Sequence, residues 1–376
     1  MKKDRKKVVN VPNLRFPGFQ DNWTDTDLGS ILKIGNGKDY KHLSEGDIPV
    51  FGTGGYMTSV NDFLYDGESV CIGRKGTINK PFYFNGKFWT VDTLFYTHSY
   101  KNVFPKFLFY VFEQINWLKY NEASGVPSLS KSTIEDIVVS IPNFLEQEKI
   151  AKFLSLLDDR ISTQMKIIEK MESLIKGLCK FYHSLAEKTE YSVADLGIHF
   201  GTMNLAKEDL SESGKECILY GELFTKYHCV IDKIESFTKC ESFEKSLSKG
   251  NDILFPASTT VDSLSLISPS ALSIKDVILG GDMFGIHLHK KFNNEYVSYV
   301  MNYIYKKDLA KYAQGSTIIH LYYNNIKNVK ILLPSLTEQV FLTDLMRLLR
   351  SKISNEYNIL SAYQKQKVFF LNQMFI

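Results

Sequence analysis

The stretch GRKGTINK brings Arg74, Lys75 and Lys80 together with Gly73 and Gly76. A guanidinium fits guanine O6 and N7 through two parallel N–H groups, and a lysine ammonium suits a phosphate. A solvated basic hairpin accounts for the same residues without any ligand. In FGTGGY, Phe51 to Tyr56, Gly54 and Gly55 precede Tyr56. Such a run makes a tight turn or lets backbone amides approach a phosphate. Lys38 lies in IGNGKD, where Asp39 stands at the position a phosphate-binding loop gives to Ser or Thr, so ATP use by this chain is not expected.

Further along, YGELFTKYH supplies Glu222, Lys226 and Tyr227, and PASTT supplies the hydroxyls of Ser258, Thr259 and Thr260. A carboxylate such as Glu222 is able to accept from a cytosine amino group, but an ordinary surface acid fits it better. The loops ASGVPS and QGSTIIH add Ser124, Gly125, Gln314, Gly315 and Ser316. His287 and His320 have no acid at readable spacing, and structural roles are expected for both. The aromatics Phe82, Tyr83, Phe84 and Trp89 read as strand core. NKPF, Asn79 to Phe82, comes nearest to an amino-methyltransferase signature, but Lys80 stands where a proline belongs. No catalytic residue is assigned.

The chain has 376 residues, 44% of them hydrophobic and 23% charged, with a net charge of +3. Two or three ordinary globular domains fit that length, and the charge permits a nucleic-acid partner without requiring one. The five cysteines, Cys71, Cys179, Cys217, Cys229 and Cys240, form no CxxC pair, so free thiols in a reducing compartment and no metal site are expected. No apolar run approaches the 18 or so residues that span a bilayer, and the basic start leads into Pro and Gly. A cytoplasmic protein without membrane contact is expected.

The elements that must position these residues come in duplicate. Ser140 to Ile150, SIPNFLEQEKI, and Leu332 to Leu342, LLPSLTEQVFL, repeat proline, a capping residue and Glu-Gln at an offset of 192 residues. Asn143 with Glu146, and Ser335 with Glu338, are read as capping boxes in which the acid reaches back to the cap's own N–H. Beyond the first box, Ile150, Leu154, Leu157, Ile161, Gln164, Ile168, Met171, Ile175, Leu178, Tyr182 and Leu185 recur with gaps of four and three. The same offset gives Leu342, Met346, Leu349, Ile353, Glu356, Leu360, Tyr363, Lys367, Phe370 and Met374. These are heptad seams, and helices roughly 60 to 68 Å long at 1.5 Å per residue are not stable alone in water. Burial of each seam against the other is the economical solution. Packing on a neighbouring domain or self-association is the alternative. Lys367 stands opposite Ile175 in the repeat, which predicts fraying or an exposed position there.

Upstream, LSKSTIEDIVVSIP aligns with LYYNNIKNVKILLP at the same offset, and TDLGSILKIGNG resembles ADLGIHFGTMN, so a strand feeds each helix and a unit of about 160 to 170 residues occurs twice. The intervening middles correspond only loosely. The fold class expected is α+β, with two similar globular domains each followed by a long helix and the helices pairing as an antiparallel coiled coil.

With PNLRFPGFQDNW, GRKGTINKP, WTVDTLFY, YGELFTKYH, GGDMFGIHL and the duplicated P-x-x-x-EQ helix, the chain resembles the specificity subunit of type I restriction-modification systems over nearly its whole length. The resemblance implies a first target recognition domain over 1–143, a spacer helix over 144–188, a second recognition domain over 189–335 and a second helix over 336–376. It implies that each domain reads one half of a bipartite target in double-stranded DNA. The helices would set the spacing and dock two modification subunits, with restriction (motor-nuclease) subunits beyond. The chain itself would hold no cofactor, S-adenosylmethionine, ATP and magnesium belonging to the partner subunits. The candidate residues above are then expected to face DNA. A coiled-coil scaffold that binds only proteins is the rival reading.

Overall fold

The computed structural model describes residues 10–241 and 246–376; the basic run near the start lies outside them. The chain divides into two compact units, Met1–Met165 with Asn358–Ile376, and Lys166–Tyr357. Each unit therefore combines one globular part with half of each long helix.

The first unit is built on a sheet of β1 (Lys33–Asn36), β2 (Glu45–Gly52), β3 (Gly55–Val60), β4 (Tyr65–Gly73), β5 (Phe82–Thr90) and β6 (Leu94–His98), in the order β1-β6-β4-β5-β2-β3. Only β2 and β5 run parallel. The second unit has β7 (Gly197–Gly201), β8 (Val230–Ile231), β9 (Asp252–Pro256), β10 (Ser270–Leu272) and β11 (Met283–Leu288), in the order β7-β11-β9-β10-β8. Here β8 and β10 are the parallel pair. The two orders correspond strand for strand, β1, β6, β4, β5 and β2 matching β7, β11, β9, β10 and β8. The second unit adds another five-stranded sheet from Leu210–Ser211, Lys215–Leu219, Ser236–Thr238, Leu247–Lys249 and Lys275–Gly280, which accounts for the poor match of the sequence middles.

A short helix backs each sheet. Pro105–Gln114 starts with proline at a position where a missing N–H costs nothing, and Asn293 caps Asn294–Tyr303 by accepting from the Tyr296 amide. Phe107, Leu108 and Phe112 of the first are buried with Val70 and Ile72 of β4 and with Ile150, Leu154 and Leu157. The expected alternation before each long helix is confined to Val138–Ile141 and Lys330–Leu333, which pair antiparallel with Thr24–Asp27 and Thr189–Ser192. Ile134 instead sits on the helical turn Lys131–Glu135, where the Ser130 hydroxyl accepts from the Thr133 amide.

The long helices span Phe144–Leu185 and Leu336–Met374. The first ends earlier than expected because Lys188 donates to the carbonyls of His183 and Ala186, capping its last turn. The second starts in a complete capping box: Glu338 accepts from the Ser335 amide at 3.1 Å and hydroxyl at 2.8 Å. The first corrects the expectation. Asn143 caps the Glu146 amide at 3.0 Å, but the Glu146 carboxylate is turned away to a buried, bidentate pair with Arg15 at 2.6 and 2.7 Å. A guanidinium fork holds a buried carboxylate better than one amide does. The following glutamine behaves alike in both copies. Gln147 Nε2 donates to the Pro142 carbonyl and its Oε1 accepts from the amide of Phe104, the residue capping the first short helix. Gln339 donates to Pro334 and accepts from Asn293, the cap of the second.

Within the first unit Phe153 packs on Phe370 and Arg160 lies over Tyr363; within the second Glu172 accepts from Tyr357 and Tyr182 meets Phe341. One number rises as the other falls, so the helices pair antiparallel. Along the seam Ile150, Leu154, Leu157, Gln164, Ile168, Ile175, Leu342, Met346 and Ile353 are buried, and Ile161, Met171, Leu178, Leu349, Glu356, Leu360, Tyr363 and Phe370 half-buried. Leu185, the last helical residue, is exposed and lies off the seam. Lys367 is neither frayed nor exposed: its ammonium lies 2.9 Å from Glu113 and 2.8 Å from Asp158 at 15% side-chain exposure. Tyr110 donates to the same Asp158 at 2.7 Å. In the second unit the nearly buried Glu295 plays the reverse part, receiving Arg347 and Arg350 from the second long helix.

Gln147→Leu and Gln339→Leu each strand a buried amide and a carbonyl, so each is expected to lower stability by about 1–3 kcal/mol per unpaired group. Hydrogen exchange of the short-helix caps checks this, with exposed Glu148→Ala as a neutral control. His183 is buried against the Tyr296 hydroxyl at 2.9 Å. Burial, aided by Lys188, holds its imidazole down at about 4, against roughly 6.5 unfolded. Its contribution to stability is present above pH 6.5 and lost as pH falls towards 4, because the unfolded chain takes up the proton first. The difference in denaturation midpoint between the native protein and His183→Gln is expected to shrink over that window.

Candidate nucleic-acid interface

In the first unit the loop after β4 is braced on two sides. The amides of Arg74 and Lys75 donate to the Thr93 carbonyl at 2.8 and 3.2 Å. Leu129 donates to the Arg74 carbonyl, and Gly76 to that of Pro127. GRKG and ASGVPS, about fifty residues apart, thus form one surface, and Ser124 and Gly125 lie exposed on it. Gly76 has a φ of +96°, a conformation that strains any residue with a side chain.

A cleft of about 630 Å³ opens beside this loop, lined by Arg74, Lys75, Lys131, Asp92, Glu122, Asn36, Phe95, Thr93, Leu129 and the serines Ser128 and Ser130. Lys131 spends its ammonium on the Ile34 carbonyl at 2.7 Å. Hydrogen bonds from Thr133 and Ser130 hold the Glu122 carboxyl below the usual carboxylate range. The Arg74 guanidinium makes one long bond, 3.4 Å, to the Asp92 carbonyl and lies 5.8 Å from the Phe95 ring. Across the strand ends, the exposed Lys38 hangs from the Thr90 carbonyl through its amide, and its own carbonyl accepts from the Trp89 indole. Gly54 and Gly55 form the tip between β2 and β3, with Tyr56 exposed beside them. Lys80 is exposed, but neither it nor Lys38 lines the cleft.

In the second unit the equivalent loop, after β9, is PASTT. Ser258 and Thr259 pair antiparallel with His320 and Ile319, and the amide and carbonyl of Gln314 bond those of His320. Ser258 is buried, Thr259 half-buried, and Thr260, Gln314, Gly315 and Ser316 are exposed. At Gly315 a side chain would meet the Ile318 carbonyl. GELFTKYH contributes no such surface. Glu222 is buried, accepting from the Leu219 amide at 2.9 Å, from Lys226 at 2.7 Å and from the Ser236 hydroxyl. That contact raises the Lys226 pKa, and Tyr227 is buried. Glu222 is therefore no free acceptor for a base; two neighbours in the chain, Leu219 and Lys226, and the more distant Ser236 consume it.

Both histidines without an acid at readable spacing have one in space. His287 lies 2.5 Å from the buried Asp252, under the Phe200 ring, and His320 lies 3.9 Å from Asp282 and stacks on Tyr322. Sequence reasoning also passed over Lys131 and Tyr322. The repeat does not relate them, since the 192-residue offset places Lys131 on Tyr323 and Ser130 on Tyr322.

One strand order, used twice and ending in unlike loops, defines a tandem recognition protein on paired helices. The sequence model of the type I restriction modification DNA specificity domain matches residues 20–173 and again 197–373, and the chain belongs to that family of DNA specificity subunits. It is 25% identical over 313 residues to a candidate type I restriction enzyme specificity subunit of Haemophilus influenzae, covering 78% of each chain. It is 22% identical to the type I restriction enzyme MjaVIII specificity subunit of Methanocaldococcus jannaschii, over 84% of this chain and 78% of that one. In fold it is similar to the S subunit of a type I restriction-modification system from M. genitalium, with a TM-score of 0.60, 16% identity, and coverage of 97% and 99%. Among the described residues no helix is long and apolar enough to cross a membrane.

Glu222→Ala leaves the Leu219 amide unpaired in the interior and is expected to cost about 1–3 kcal/mol. The bases preferred by the assembled complex should not change, since the residue lies beneath the surface. Denaturation together with binding to a panel of duplexes checks both parts.

Proposed function

We propose that each globular unit reads one half of a bipartite target in double-stranded DNA, the first through Arg74, Lys75, Lys38, Lys80, Ser124, Gly125 and the Gly54–Tyr56 tip. The second uses Thr259, Thr260, Gln314, Gly315 and Ser316 with the backbone around Ser258. The observation that carries this reading is the shared strand order, which brings loops of different chemistry to the same strand end. A reader of two unlike half-sites needs one frame and two faces. The lysines act on phosphates, giving affinity that falls with salt.

The long helices hold the modification subunits. In the first unit they expose Leu145, Leu156, Val368 and Phe369, and in the second Leu174, Phe181, Phe341 and Leu348, apolar surface that a protein partner would cover. Chemistry then belongs to the partners, with S-adenosylmethionine on the modification subunits and ATP and magnesium on a motor-nuclease subunit, in a cytoplasmic complex. The chain itself is a non-catalytic subunit, as is general in its family.

Co-expression with the neighbouring modification subunits and mapping of methylated adenine across the host genome should return a two-part motif with a constant gap. Exchange of Asp27 to Leu129 for the same region of a relative should alter one half of that motif only. A change in both halves would refute the division between the units.

A further inference from the structure

The geometry points to Arg74 as the residue that reads a guanine in the half-site of the first unit, an inference that rests on the proposed DNA-reading function. Among the described residues, Arg15 is consumed by Glu146, while Arg347 and Arg350 are consumed by Glu295 and its neighbours. Arg160 belongs to a long helix and lies over Tyr363. Arg74 is the one described arginine carried by a sheet loop, and its guanidinium has no carboxylate partner.

Its backbone is held while its head is not. The amide is fixed to Thr93 at 2.8 Å and the carbonyl to Leu129 at 2.9 Å, so the Cα has a defined place. Among the described residues the only hydrogen bond of the guanidinium is the 3.4 Å contact to the Asp92 carbonyl, too long to compete with a charge-assisted bond. Four of its five N–H donors are open to solvent partners, arranged as the planar fork that matches guanine O6 and N7. Lys75 beside it presents a point charge without directional preference and suits a phosphate.

The second unit supplies the contrast. Its equivalent strand, β9, runs into Ser258–Thr260, and no described arginine stands on a loop of that unit. The second half-site is therefore read without an arginine fork, and a change at Arg74 leaves it untouched.

The test compares methylation motifs of complexes carrying the native chain, Arg74→Ala and Arg74→Lys, with the half belonging to the first unit identified by the Asp27 to Leu129 exchange. The native motif should contain a guanine in that half. Arg74→Ala should make that single position degenerate, losing roughly 5- to 150-fold in discrimination, with the gap and the other half kept. A first half without guanine overturns the inference, as does a variant whose motif stays intact in every position while total methylation falls, the behaviour of a phosphate contact. Against a variant that fails to assemble, the native complex is titrated with duplexes carrying 7-deazaguanine at each guanine of the first half. A loss of 5-fold or more at one of them supports the inference, and equal affinity at all of them overturns it. If the native complex yields no bipartite motif, the DNA-reading function itself fails, and the inference with it.

Discussion

The orientation of each long helix depends on one buried amide. Gln147 and Gln339 join three pieces of chain at a point: the proline that ends the strand, the first turn of the long helix, and the cap of the short helix beneath the sheet. An amide has a donor and an acceptor about two ångströms apart, so it satisfies a carbonyl and an N–H that would otherwise be buried unpaired. A carboxylate or ammonium offers only one of those functions. The preceding acid is freer, and the two copies use it differently, Glu146 for Arg15 and Glu338 for its own cap. The repeated Glu-Gln phrase is thus conserved between the halves in its second member's role and divergent in its first.

From that joint outward the packing becomes charge-balanced in opposite senses. In the first unit the long helix contributes a cation, Lys367, to a site holding Glu113 and Asp158; in the second it contributes Arg347 and Arg350 to Glu295. A buried charge without its partner is costly, so these pairs mark where the second long helix must sit, its end against the first short helix and its beginning against the second. Such pairs add positional specificity to apolar seams that would tolerate sliding.

At the far end of each sheet the constraint relaxes. Strand ends carry loops that need only close on one another, as GRKG does on ASGVPS and PASTT on the segment ending at His320. Loop chemistry then varies over a fixed frame, which is how one fold presents an arginine in one unit and hydroxyls in the other.

The duplication, its 192-residue offset, the heptad seams and the family were legible from the sequence, because period and local capping chemistry are written in neighbouring residues. The equivalence of GRKG and PASTT was not, since it is a statement about strand order. Nor were the partners of Lys367, His287 and His320, each of which lies on another element. By itself the sequence determined that two sheet-and-helix units exist and which face of each helix is apolar. Only the tertiary structure decided which charges are consumed in the interior and which, like that of Arg74, remain for a ligand. Burial and pairing are properties of contacts between residues far apart in the chain, and no local pattern encodes them.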